Sequence, residues 1–316
     1  MSSSVLSPRR PFNSHSSAPD AAPDREDDNV EDHATRATAA AFADPAVPRT
    51  RPPLGLVEAI LWAAAFFVLH CIPPLILASS VCDEPDGRER FFACSPYAML
   101  CGQIMALGFA VFALSARVGS NWTRTLNLRR PPLVPTLLAV LCLPAVFFLA
   151  AWLVHLATPA PDAAGPSEVA TLAGSALWFG LLVHAVGPAV NEEVFFRGFL
   201  GRGLIGRYGV IPGVLLTSVL FGVFHANVPQ AILGLVIGAF MHLAYLATRS
   251  LWVPMLLHFL TNALVHLMTR FASVTDEPPT AHEWVWFAVA LALTAIPAGY
   301  GLYRYRVRDG ATEGAA

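Results

Sequence analysis

Asn191-Glu192-Glu193-Val194-Phe195-Phe196-Arg197-Gly198 places two adjacent carboxylates and an arginine inside an otherwise apolar stretch that runs from about Val169 to Leu200. A charge near the centre of a bilayer costs about 2.5–3.5 kcal/mol even on the lenient insertion scale, so acids in such a setting point to function. Helical geometry sorts the three. Glu193 and Arg197 are i,i+4 neighbours on one face, whereas Glu192 projects about 100° away. Arg197 is therefore placed to neutralise Glu193 and leave Glu192 free. The competing reading is a helix end whose charges snorkel to the headgroups. Polar residues elsewhere in the chain decide against it.

The surrounding composition is that of a polytopic membrane protein. Hydrophobic residues make up 55% of the 316 and charged residues only 13%, against about 25% charged in soluble domains. The mean hydropathy is +0.54. The formal net charge of −2 says little about partners, because the relevant fields are local to each loop. All 20 basic residues are arginine.

Residues 1–53 differ from the rest: Ser, Pro, Ala and Asp dominate, and acids cluster at Asp24, Glu26, Asp27, Asp28, Glu31 and Asp32. This composition predicts a disordered cytoplasmic tail, since it lacks the basic and apolar regions of a signal peptide. Apolar runs long enough to cross about 30 Å of hydrocarbon predict about eight helices. They lie at 54–79, 94–114, 133–157, 170–190 with a continuation to about 206, 210–226, 229–247, 251–269 and 283–303. The expected fold is thus all-α, with a membrane domain over 54–306, a motif-bearing core over 170–270, and a disordered tail over 307–316. Gly187-Pro188 predicts a break or kink in the fourth helix.

Arginine placement gives the expected orientation. Arg117, Arg124, Arg129, Arg130, Arg202, Arg207, Arg249, Arg304, Arg306 and Arg308 all fall on one side of an eight-span chain. The positive-inside rule makes that side cytoplasmic, together with both termini. The loop at 80–93 then faces out, and Cys82 and Cys94 flank it as candidates for a disulfide. Cys71, Cys101 and Cys142 read as small packing residues. Trp252, Trp284 and Trp286 stand near helix ends, as interfacial belts require.

Three further polar residues recur in apolar helices: His225, and the i,i+4 pair His258 and Asn262. Glu192 and His225 are equidistant in sequence from the turn at Tyr208 and Gly209. In an antiparallel hairpin each therefore lies about 24 Å along its helix, so the two meet at similar height. A carboxylate facing an imidazole is a general-base arrangement, and neighbouring donors are suited to a developing oxyanion. His70, His155, His184, His242 and His266 show no such spacing and read as interhelical hydrogen-bonding residues.

Glu192-Glu193-x-x-x-Arg197, Phe221-x-x-x-His225 and His258-x-x-x-Asn262, in that order, resemble the three motifs of the CPBP family. That family comprises CAAX prenyl endopeptidases together with Abi and bacteriocin-immunity proteins. The resemblance implies intramembrane endoproteolysis. Glu192 would be the general base, His225 would hold the attacking water, His258 and Asn262 would support the oxyanion, and Glu193 with Arg197 would be structural. No cofactor is the preferred expectation, because the His-Glu-x-x-His pair of zinc helices is missing. A zinc site built from Glu192, His225 and His258 is the alternative. Partners expected are membrane lipid and a protein or peptide substrate, with no nucleic acid. The competing functions are a non-catalytic immunity protein and a proton-coupled transporter.

The orientation predicts that a cysteine introduced at Arg129 is shielded from an impermeant thiol reagent in intact cells. Strong labelling there would show the topology to be inverted.

Overall fold

The structure is a computed structural model that describes residues 52–81, 87–119, 121–158, 176–271 and 281–313. Nearly all of the expected N-terminal tail lies outside these residues. The described chain is helical: α1 (Leu56–Val81), α2 (Gly87–Val118), the short α3 (Trp122–Thr125), α4 (Leu133–Ala157), a composite α5 over 177–208, α6 (Val210–Phe224), α7 (Val228–Thr248), α8 (Trp252–Phe271) and α9 (Ala281–Glu313). Six of them are long and apolar enough to cross a membrane, and α6 is a shorter apolar helix. With the composite α5 they make an all-α polytopic membrane protein.

Hydrocarbon offers no hydrogen bonds to a bare backbone, so helices that satisfy their own N–H and C=O groups are the stable solution for such apolar runs. The outer faces match that solvent. Leu61, Leu75, Ile211 and Leu293 are each more than 60% exposed on the surface of the bundle, where lipid tails would cover them.

Several boundaries differ from the sequence reading. α1 continues to Val81 and α2 begins at Gly87, so most of the expected 80–93 loop is helix. Cys94 is an exposed residue of α2, and Cys82 lies outside the described residues. α9 runs to Glu313, so the expected boundary at 306 does not coincide with a helix end.

α5 continues through Gly187-Pro188, where the sequence predicts a break or kink, without breaking. Its Leu182–Val186 and Val194–Gly201 segments are π-helical. Pro188 has no N–H, which leaves the carbonyl five residues back without its π-type donor. A side chain replaces that donor: Gln103 Nε2 on α2 donates to the Val183 carbonyl at 2.6 Å. Gly187 makes the approach possible, because a Cβ there would run into the Gln103 carboxamide. A helix from another part of the chain thus repairs the defect that the sequence alone marks as a break.

Contacts among the loops gather the arginine-bearing segments at one end of the bundle. Arg117 pairs with Glu58 at 3.3 Å and donates to the Pro52 carbonyl. Arg207 donates to the Pro53 carbonyl, and Tyr208 Oη accepts from the Leu56 N–H at 3.0 Å. Ser250 Oγ donates to the Arg129 carbonyl at 2.8 Å. Gly209, at φ 87°, turns the chain from α5 into α6 at this same end.

The inner faces pack through aromatic rings. Phe66 of α1 stacks on Phe195 of α5 with centroids 4.1 Å apart, and Phe196 meets Phe221 of α6 edge-on. α1 and α2 approach closely enough that the His70 carbonyl occupies the place of a side chain at Gly102. Gly102→Ala is therefore expected to destabilise the protein by about 1–3 kcal/mol through overpacking. Gly108→Ala on the same helix, with nothing within 4 Å of the added carbon, should be neutral or gain up to about 1 kcal/mol in helix propensity. Thermal unfolding in detergent measures both, and equal midpoints would contradict the packing argument.

Candidate active site

The α5 segment from Gly187 to Gly201 carries the charges, and it is buried almost throughout. Glu193 is 0% exposed and Arg197 1%. Arg197 Nη1 donates to Glu193 Oε1 at 2.7 Å, and Arg197 Nη2 donates to the Gly238 carbonyl of α7 at 3.0 Å. The guanidinium also lies over the Phe221 ring, 4.6 Å from its centroid. Glu193 Oε1 accepts a second bond, from His258 Nδ1 of α8 at 2.8 Å. One carboxylate oxygen therefore ties α5 to α8, while its arginine partner ties α5 to α6 and α7.

Glu192 faces the other way. It lines a cavity of ≈ 680 Å³ whose wall also includes His225, His258 and Asn262. Its Oε2 is buried and has no hydrogen-bond partner. Adjacent in sequence, the two glutamates are thus separated by helical geometry into a bonded carboxylate behind the wall and a carboxylate at the cavity.

His225 ends α6. Its Nδ1 lies 2.9 Å from the Phe221 carbonyl, and because a carbonyl only accepts, the proton of the neutral ring sits on Nδ1. Nε2 is then the acceptor nitrogen. The turn that follows holds this ring in place: Ala226 takes a left-handed φ of 57°, and Asn227 Oδ1 accepts from the Gln230 N–H to cap α7. α6 and α7 meet closely because Gly222 has no Cβ to strike the Ala231 carbonyl. The imidazole of His258 is oriented in the same sense, with Nδ1–H held by Glu193 and Nε2 remaining.

Three histidines read from sequence as interhelical hydrogen-bonding residues stand on the cavity wall instead: His70, His184 and His266. His184 and His266 stack with centroids 5.6 Å apart. His70 sits edge-on to Phe224. Neither i,i+4 spacing nor a shared hairpin relates these three to Glu192, so only the cost of placing histidine in an apolar span could have marked them. His155 stacks on Trp284, and His242 is buried next to Tyr245, both away from the cavity.

Among the described residues, no three His, Cys, Asp or Glu side chains converge as a group that would hold a metal ion. The alternative zinc set of Glu192, His225 and His258 does not form such a group in this arrangement.

Residues 174–264, which include all four of Glu192, His225, His258 and Asn262, match the model of a family described as type II CAAX prenyl endopeptidase Rce1-like. The protein named "Putative membrane peptidase YdiL" of Bacillus subtilis (strain 168) is 31% identical over 88 residues, covering 28% of this chain and 36% of that protein. The chain therefore spans about a third of the length of the curated relative it matches. No solved structure matches.

Removing half of a buried ion pair costs about 3–5 kcal/mol, because the remaining charge is left uncompensated. Glu193→Gln strands Arg197 and releases His258, so the thermal midpoint and the folded yield in detergent should fall sharply. Glu192→Gln removes a buried carboxylate oxygen that has no partner, so its midpoint should hold or rise. Equal behaviour of the two variants would show that the division between them is wrong.

Proposed function

We propose that this chain is an intramembrane endopeptidase of the CAAX-protease type, hydrolysing a peptide bond with a water activated by Glu192. One observation carries the reading: Glu192, whose Oε2 has no partner, lines a cavity together with two imidazoles whose Nδ1 atoms are both tied back to the protein. The matched family model and the name of the Bacillus subtilis relative support the same class of activity.

In the proposed reaction, a water sits between the Glu192 carboxylate and His225 Nε2. Glu192 takes its proton as the oxygen attacks the scissile carbonyl. The Asn262 amide donates a hydrogen bond to the oxyanion, and the His258 ring, held against Glu193, supports it from the same wall. The reaction needs no cofactor. Substrates are proteins or peptides that reach the site from within the membrane, and nucleic acid has no part. In the cell membrane the arginine-bearing end of the bundle faces the cytoplasm, with both termini on that side.

The test uses purified protein and an internally quenched peptide that ends in S-farnesylcysteine followed by three aliphatic residues, beside its unprenylated counterpart. Glu192→Gln and His225→Ala should each lower kcat at least about 100-fold, the size expected for loss of general-base chemistry. Wild-type cleavage should survive dialysis against a strong chelator. Loss of activity that only added Zn²⁺ restores would replace the glutamate mechanism by a metal one, and full activity in Glu192→Gln would remove Glu192 from the chemistry.

A further inference from the structure

Peptide hydrolysis needs two proton transfers, one away from water and one onto the departing amine. Glu192 supplies the first, and neither imidazole named so far has a ring free to supply the second. His225 and His258 each have Nδ1 held by an acceptor that fixes the ring's proton, in one case the Phe221 carbonyl and in the other Glu193. Asn262 does not exchange protons at all.

His70 is differently placed. It comes from α1, far in sequence from the segment that matches the family model, yet it lines the same cavity as Glu192 and His225. Its Nδ1 is buried and has no hydrogen-bond partner, so no protein acceptor dictates which ring nitrogen carries the proton. Its position is nevertheless well held. The His70 carbonyl is packed against Gly102 of α2, and the ring rests edge-on against Phe224 at 5.6 Å, next to His225 in the chain. An imidazole on the same cavity wall as the general base, with an untied Nδ1, is suited to carry a proton.

We propose that His70 is a catalytic residue that protonates the leaving amine. The inference rests on the endopeptidase reading above. Glu192 takes a proton from water as the water oxygen bonds to the scissile carbon. As the carbon–nitrogen bond breaks, a ring N–H of His70 gives its proton to the amine nitrogen, and the other ring nitrogen accepts the proton held by Glu192. The carboxylate is regenerated, the imidazole ends neutral in its other tautomer, and the products are an acid and an amine.

The leaving group supplies the test. An amide nitrogen must be protonated to depart, whereas the alkoxide of an ester leaves with far less help. The wild-type cleavage site in the quenched peptide is located by mass spectrometry, and a second peptide is made with that one amide replaced by an ester. His70→Gln and His70→Asn should lower kcat on the amide at least tenfold, with KM little changed, and leave ester hydrolysis within about twofold of wild type. Added imidazole should restore part of the amide cleavage in His70→Ala. Equal losses on amide and ester in both polar variants, or no loss on either, would overturn the proposal. Failure of the underlying reading looks different: Glu192→Gln would then cleave both peptides as well as wild type does, or wild type would cleave neither.

Discussion

A carboxylate with no water to solvate it must find its compensation within the protein, and at Glu193 that requirement reaches four helices. Arg197 answers it one helical turn away, but a buried guanidinium has several N–H groups to satisfy and a flat face to cover. The Gly238 carbonyl of α7 accepts from Nη2 and the Phe221 ring of α6 covers the flat face, while Nε is left without a partner. His258 of α8 completes the cluster on the same carboxylate oxygen. Loosening any of these contacts would expose an unpaired charge to hydrocarbon. The relative positions of α5, α6, α7 and α8 are therefore coupled to one another through a single oxygen.

This coupling also positions the cavity. His258 is oriented by Glu193, and His225 follows Phe221 by one turn at the end of α6, with the Phe221 ring under Arg197. The charges that stabilise the bundle and the groups proposed to act on substrate are thus parts of one network. Glu192 stands outside it. Each glutamate keeps one oxygen without a partner, but only Glu192 presents its carboxylate to the cavity, where that is costly for stability and suited to chemistry.

The composite α5 shows how packing alters what a local pattern means. Gly187-Pro188 reads as a helix breaker, and in an isolated chain the missing N–H would leave a carbonyl unsatisfied. In the bundle, the widened π turn and the Gln103 amide from α2 satisfy that carbonyl and the helix continues. π turns recur immediately after Glu193, where the helix carries its charges, in keeping with the frequent placement of such turns at functional sites.

The sequence by itself determined the all-α membrane class, nearly all helix positions, and the four residues Glu192, His225, His258 and Asn262 that share the cavity wall. These were legible because they depend on near-range rules: apolar length against bilayer thickness, i,i+4 spacing, and equal counts from one turn. Tertiary structure alone decided that Glu193 also binds His258, that Gln103 mends the helix at Pro188, and that His70, His184 and His266 face the same space as Glu192. Each of those depends on which faces of distant helices meet. In lipid that choice is made by close packing at small residues such as Gly102 and Gly187, and by the need to satisfy every buried polar group. Neither condition leaves a periodic trace in the chain.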